Sequence, residues 1–175
     1  HCIVALQSVV ARNLDPLAGG VVSITVVQGG EAQNQIPRRV LLKGTARWID
    51  AGAGEAIREG VHRIAQGIGA TFAVAAAVNW GPGVEITANH PAQRDLAAEA
   101  AASVAPVRRD LPPAMTGEDF SWFLKQVPGA FVWIGNGPAE DGRELHNARY
   151  DFNDAILPVA SGFLAAVAKR ALAAG

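Results

Sequence analysis

The sequence predicts an α/β chain built as two incomplete halves, residues 1–82 and 83–175, and three observations predict it. From His1 to Trp80 the apolar residues recur at helical spacing, then twice at strand spacing, then again as helix and strand. That order is a ferredoxin-like βαββαβ unit lacking its first strand. Beyond Asn89 helices and strands alternate again, the mark of an α/β layer. Between the two stretches Gly81-Pro82-Gly83 interrupts both patterns, so 81–89 reads as their connection.

The first helix, His1 to Asn13, carries Ile3, Leu6, Val9 and Val10 at three- and four-residue steps. No Ser, Thr, Asp or Asn stands ahead of the first apolar residue to cap it, and no methionine opens the chain. Both features lead us to expect further sequence upstream. Pro16 follows soon after the helix and ends it. Val21 to Gln28, β-branched on both faces and flanked by glycine pairs, predicts a strand. Arg39 to Ile49 predicts a second. Leu41, Lys43, Thr45 and Arg47 take one face, and Val40, Leu42, Ala46 and Trp48 the other. Glu55 to Gly69 sets Ile57, Val61, Ile64 and Ile68 on one helical stripe. Thr71 to Trp80 predicts a buried strand. In the usual spatial order of such a unit the missing strand lies inside the sheet. Its absence would leave ladder groups unpaired at about 1–3 kcal/mol each.

The second half predicts a helix over Pro91 to Val104, with Asn89 as its cap and Pro91 in its first turn. A short helix follows over Gly117 to Gln126, a strand over Ala130 to Ile134, and a glycine-containing loop over 136–147. Asn153 or Asp154 caps a last helix with the stripe Ile156, Phe163, Leu164, Val167 and Leu172.

Composition narrows the function. Hydrophobic residues make up 50% of 175 and charged residues 18%, so the chain has ample apolar surface to bury and is not disordered. The continuous apolar runs, such as Phe72 to Val78, fall short of a membrane span. Fifteen basic against sixteen acidic residues, with no basic block, argue against nucleic acid or an anionic membrane as partner. One cysteine, Cys2, excludes an internal disulfide framework and a cysteine-rich zinc module. No signal-peptide pattern opens the chain, which predicts a cytoplasmic location.

Of four histidines, His1 is terminal, His62 belongs to the edge of an amphipathic helix, and His90 sits at a helix start where a capping role is favoured. His146 differs. It stands in GRELHNARYDFND, between a glycine-containing loop and a capped helix, among Glu144, Asn147, Asp151 and Asn153. A loop histidine beside carboxylates suits a metal ligand, since a carboxylate can fix the tautomer of the neutral imidazole. No second histidine or cysteine is nearby, so a complete metal site cannot be built within this chain. Thr116-Gly117-Glu118-Asp119 opens a helix whose amides suit an anion or a plain cap. Asn34 lies in an inter-strand loop and serves a turn; Arg47 on its strand suits a solvent-side ion pair. Gly135-Asn136-Gly137 lacks the strand–GxxxxGK–helix setting of a phosphate loop.

In order and spacing, ALQSVVARNLDPL, VVQGGEAQNQIPRRVLLKGTAR, AMTGEDFSWFL, VPGAFVWIGNG and LHNARYDFND resemble metal-dependent amidohydrolases of the hippurate hydrolase and indoleacetyl-amino-acid hydrolase type. These are relatives of the aminoacylases and dinuclear-zinc carboxypeptidases. The resemblance implies a lid or dimerisation domain over 1–82 and the C-terminal part of a zinc-peptidase-like catalytic domain over 83–175. It implies two divalent metal ions (zinc, manganese or nickel), an N-acyl amino acid as substrate, and a homodimer through the lid. His146 matches a metal-ligand histidine, and Asn34 a lid asparagine that reaches substrate in the dimer. Arg47 matches a cleft arginine and Gly117 part of the pocket wall. The general base and the other ligands belong to the family's upstream half, so this chain alone is expected to be inactive. Thr116, Arg38 and Ala148 depart from the family pattern and leave substrate choice open. The competing expectation is a non-catalytic module that uses the βαββαβ half for dimerisation or binding.

Overall fold

The structure is a computed structural model that describes residues 1–138 and 145–173. The chain divides into two compact units. The first comprises His1–Ile86 and Pro113–Glu118, the second Thr87–Pro112 and Asp119–Gly175.

In the first unit, helix α1 (Cys2–Ser8) runs directly into a π-helical turn, Val9–Asn13. His1 precedes α1 without a side-chain cap, as its sequence implied. Strands β1 (Gly20–Gln28) and β2 (Leu41–Trp48) pair antiparallel from Gly20↔Trp48 to Gln28↔Leu41. The register shifts between Ile24 and Val26, so Thr25 is a bulge residue without a partner in the ladder. The expected faces hold within β2, while Val40, expected on the covered face, lies before the strand and is exposed. Leu42, Ala46 and Trp48 are partly covered while Leu41, Lys43, Thr45 and Arg47 face solvent. Helix α2 (Ala51–Thr71) is longer than its apolar stripe because Asp50 caps it, accepting from the Ala53 N–H at 2.9 Å. The core gathers Leu6, Val9 and Ile57, with Val22, Ile24, Ala46, Trp48 and Trp80 packed around them. Gly54 permits this closeness. A β-carbon there would lie 2.6 Å from the Trp48 indole.

Thr71 to Trp80 does not form the expected strand. Helix α2 continues through Thr71, Ala73 turns at φ 53°, and the segment beyond runs without a ladder. A strand needs a neighbour, and among the described residues the sheet has two strands, β1 and β2. The segment is tied by its end instead. The Trp80 indole N–H donates to His62 Nε2 at 3.0 Å. The Arg58 guanidinium lies 5.3 Å from the Trp48 ring centre and 5.1 Å from that of Trp80, a cation held between two indoles.

In the second unit, α3 (Pro91–Ala102) packs on α5 (Leu157–Ala173) through Ala97, Ala100 and Phe163, and Arg170 reaches Glu99 at 3.2 Å. Pro91 opens α3 as expected, but Asn89 is not its cap. The Asn89 amide is bound elsewhere: the Phe131 N–H donates to its Oδ1 at 2.7 Å and its Nδ2 donates to the Phe131 carbonyl at 2.9 Å. Ala130 to Ile134, expected as a strand, therefore finds a side chain where a neighbouring strand would be, and forms no ladder. Helix α4 is shorter than expected, Phe120–Leu124, so Thr116-Gly117-Glu118 precede it rather than opening it. A 3-10 turn, Asp154–Ile156, leads into α5, and Asn153 caps it as predicted. Phe163 and Val167 join the core, whereas Leu164 and Leu172 stand exposed.

One sequence expectation about membranes is corrected. Asp154–Ala173 is 20 residues with a mean hydropathy of 1.5, long and apolar enough to span by length and composition. Counting unbroken apolar runs missed it because Pro158, Ser161 and Gly162 interrupt the stretch without adding charge, and Lys169 and Arg170 break it near its end. The same alanine-rich make-up suits close packing on α3, which is where Phe163 lies.

Candidate functional site

Strand β2 positions Arg47 on its solvent side, opposite Val21 of β1. The expected ion pair is replaced by a hydrogen bond to backbone: Arg47 Nη1 donates to the Met115 carbonyl at 2.7 Å. That bond brings β2 to the segment Pro113–Glu118 of the same unit, and hence to the neighbourhood of Gly117. Gly117 in turn rests on Val84, whose Cγ2 would stand 2.9 Å from a β-carbon at 117. Arg47 and Gly117 are thus brought together in one strip. Asn34 is not.

Asn34 lies in a turn closed by the Gln35 N–H on the Ala32 carbonyl at 3.3 Å, within the exposed 29–40 loop that joins β1 to β2. That loop meets β2 at Leu41, and Arg47 stands six residues further on, about 20 Å of extended chain. Asn34 and Arg47 therefore occupy opposite ends of the two-stranded ribbon.

His146 belongs to the second unit. It is exposed and held at φ 69°, a left-handed conformation uncommon outside glycine, though histidine adopts it more often than most residues. The backbone after it is fixed by side chains. Asn147 Oδ1 accepts from the Arg149 N–H at 2.9 Å, and the Tyr150 N–H returns to the Asn147 carbonyl at 3.0 Å. Asn136 Nδ2 donates to the Asp151 carbonyl at 3.3 Å, and the Asn153 N–H donates to Asn136 Oδ1 at 2.8 Å. Glu144, the expected acidic neighbour, lies outside the described residues. Among the described residues no three His, Cys, Asp or Glu stand together so as to hold a metal ion. His146 by itself does not make a metal centre.

Sequence reasoning passed over two features. One is the Trp48–Arg58–Trp80 stack with its His62 acceptor, whose members are spread over three segments. The other is Asn136, read there as part of a failed phosphate loop; an asparagine between two glycines was the available signal. His90 also differs from a simple cap: its ring Nδ1 accepts from the Gly129 N–H at 3.2 Å.

The model of the peptidase family M20/M25/M40 matches residues 8–170. The chain is 36% identical to the N-acetylcysteine deacetylase of Bacillus subtilis over 166 residues, which cover 95% of this chain and 43% of the relative. It is 36% identical to the N-acetyldiaminopimelate deacetylase of Shouchella clausii over 91% of this chain and 42% of that protein. A crystal structure from Bacillus subtilis, described as a dinuclear metal binding peptidase from the M20 family, superposes with a TM-score of 0.73 at 32% identity. It is matched over 96% of this chain and 45% of its own. A putative aminohydrolase from methicillin-resistant Staphylococcus aureus shares the fold, with a TM-score of 0.78 at 23% identity over 95% of this chain and 42% of that one. The chain spans about two fifths of the length of the curated relatives it matches.

Proposed function

Because this chain belongs to the peptidase family M20/M25/M40, we propose that the protein is a metal-dependent amidohydrolase that cleaves the amide bond of N-acyl amino acids. The observation that carries the reading is His146 in its left-handed turn. Such a conformation costs of the order of 1–3 kcal/mol and persists only where its surroundings over-determine it. Here those surroundings are Asn147 and Asn136. The turn presents an imidazole to solvent on a fixed backbone, which is what a ligand position needs.

In this reading His146 supplies one ligand to a pair of divalent ions, zinc, manganese or nickel, whose other ligands and general base stand outside the described residues. Such ions, when bound, acidify a water and polarise the scissile carbonyl. The dinuclear neighbour supports the metal requirement. Arg47 commits one N–H to Met115 and keeps the rest of its fork for the substrate carboxylate. Gly117 shapes the wall beside it. Asn34 is carried by the loop that leaves the ribbon at Leu41, about 20 Å of extended strand from Arg47. That placement supports a homodimer, in which Asn34 serves the other copy's substrate, and β1, paired on one side by β2, offers its other edge for the contact. The names of the relatives favour an acetyl group on the substrate. Hippurate, with a benzoyl group, is the bulkier competitor.

The test uses the full-length protein with N-acetyl-L-cysteine and hippurate as substrates. We expect chelation to abolish hydrolysis and a divalent metal to restore it. His146→Ala should lower kcat/KM by more than about 100-fold while reducing bound metal, since even residues that only orient a ligand cost 10–100-fold. Unchanged activity and metal content in that variant would refute the assignment.

A further inference from the structure

We propose that Asn136 is a positioning residue for His146: its side-chain amide closes the loop on which His146 is carried and so fixes where the imidazole points. The inference rests on the reading of His146 as a functional residue given above.

Both ends of the amide are engaged, and on backbone. Nδ2 donates to the Asp151 carbonyl at 3.3 Å and Oδ1 accepts from the Asn153 N–H at 2.8 Å. One side chain thus presents a donor and an acceptor to a segment 15 and 17 residues further on, as a neighbouring strand's peptide group would. Aspartate lacks the donor, and glutamine carries an extra methylene that displaces both atoms. The glycine that follows suits the same purpose. Gly137 adopts φ 97°, which sends the chain away immediately after the amide is anchored. At the far end Asn153 passes the restraint on, since its Oδ1 accepts from the Ala155 N–H at 3.1 Å at the start of the turn leading into α5. Nearer His146, the Asn147 turn adds a local restraint. Asn136 adds a restraint from outside the 145–153 stretch, and losing it removes the bonds at Asp151 and Asn153 that help to hold His146 in its left-handed conformation.

The experiment compares Asn136→Ala and Asn136→Asp in the full-length protein by amide hydrogen exchange and steady-state kinetics. Asn136→Ala should speed exchange of the Asn153 amide at least about tenfold, leaving α3 and α5 amides unchanged. It should lower kcat by about 10–100-fold with little change in KM, the signature of a misplaced group rather than lost substrate binding. Asn136→Asp keeps the acceptor for Asn153 but sets a carboxylate oxygen against the Asp151 carbonyl, so it should recover only part of that protection and of kcat. Unchanged Asn153 exchange in Asn136→Ala would overturn the proposal, as would accelerated exchange spread over the whole second unit, which denotes plain destabilisation. If His146→Ala keeps its activity, the functional reading falls on its own, and the Asn153 exchange still decides whether Asn136 closes the loop.

Discussion

At the scale of the residue, side chains here often do the work of backbone. Asn89 answers both peptide groups of Phe131, Asn136 answers Asp151 and Asn153, and Arg47 holds the Met115 carbonyl. None of these contacts leaves a local trace, because the partners are 15 to 68 residues apart and periodicity reports only neighbours. The cap before α5, by contrast, was legible, since the Asn153 side chain binds two residues on and marks the cap in the sequence. One close residue contact gives a prediction. Gly54→Ala should gain helix propensity yet destabilise the protein by about 1–3 kcal/mol, because the new methyl meets the Trp48 indole at 2.6 Å. Urea unfolding followed by tryptophan fluorescence measures this, and a variant more stable than the parent would disprove the close packing.

At the scale of the element, amphipathic segments were readable and segments that need a partner were not. The exposed and covered faces of β2 follow from alternation along a single strand, and the Ile57 stripe of α2 from helical spacing. Thr71 to Trp80 and Ala130 to Ile134 have the composition of strands, but composition does not say whether another strand lies alongside. The start of α2 was placed too late because Gly52 and Gly54 weaken helix propensity there, while Asp50 restores the start by capping. Asp50→Ala should therefore cost about 1 kcal/mol and fray the first turn. Faster exchange confined to the amides of 53–55 is the expected reading, and protection equal to the parent's would rule the cap out as a contributor.

At the scale of the whole molecule, the described residues bring one candidate ligand and no cluster to complete it. Residues 1–175 supplied with zinc or manganese are therefore expected to hydrolyse neither N-acetyl-L-cysteine nor hippurate, and turnover above the metal-only blank would contradict this. The fold also carries an instruction for anyone who would dissect the gene. The first unit is discontinuous: it runs to Ile86 and then reclaims Pro113–Glu118 from beyond α3. A single stop codon after Ile86 would discard the stretch that Arg47 and Val84 hold, leaving the guanidinium without its carbonyl and baring Gly19 where Met115 now lies. A faithful excision requires a graft, with the short 113–118 peptide spliced back through a linker, rather than a cut.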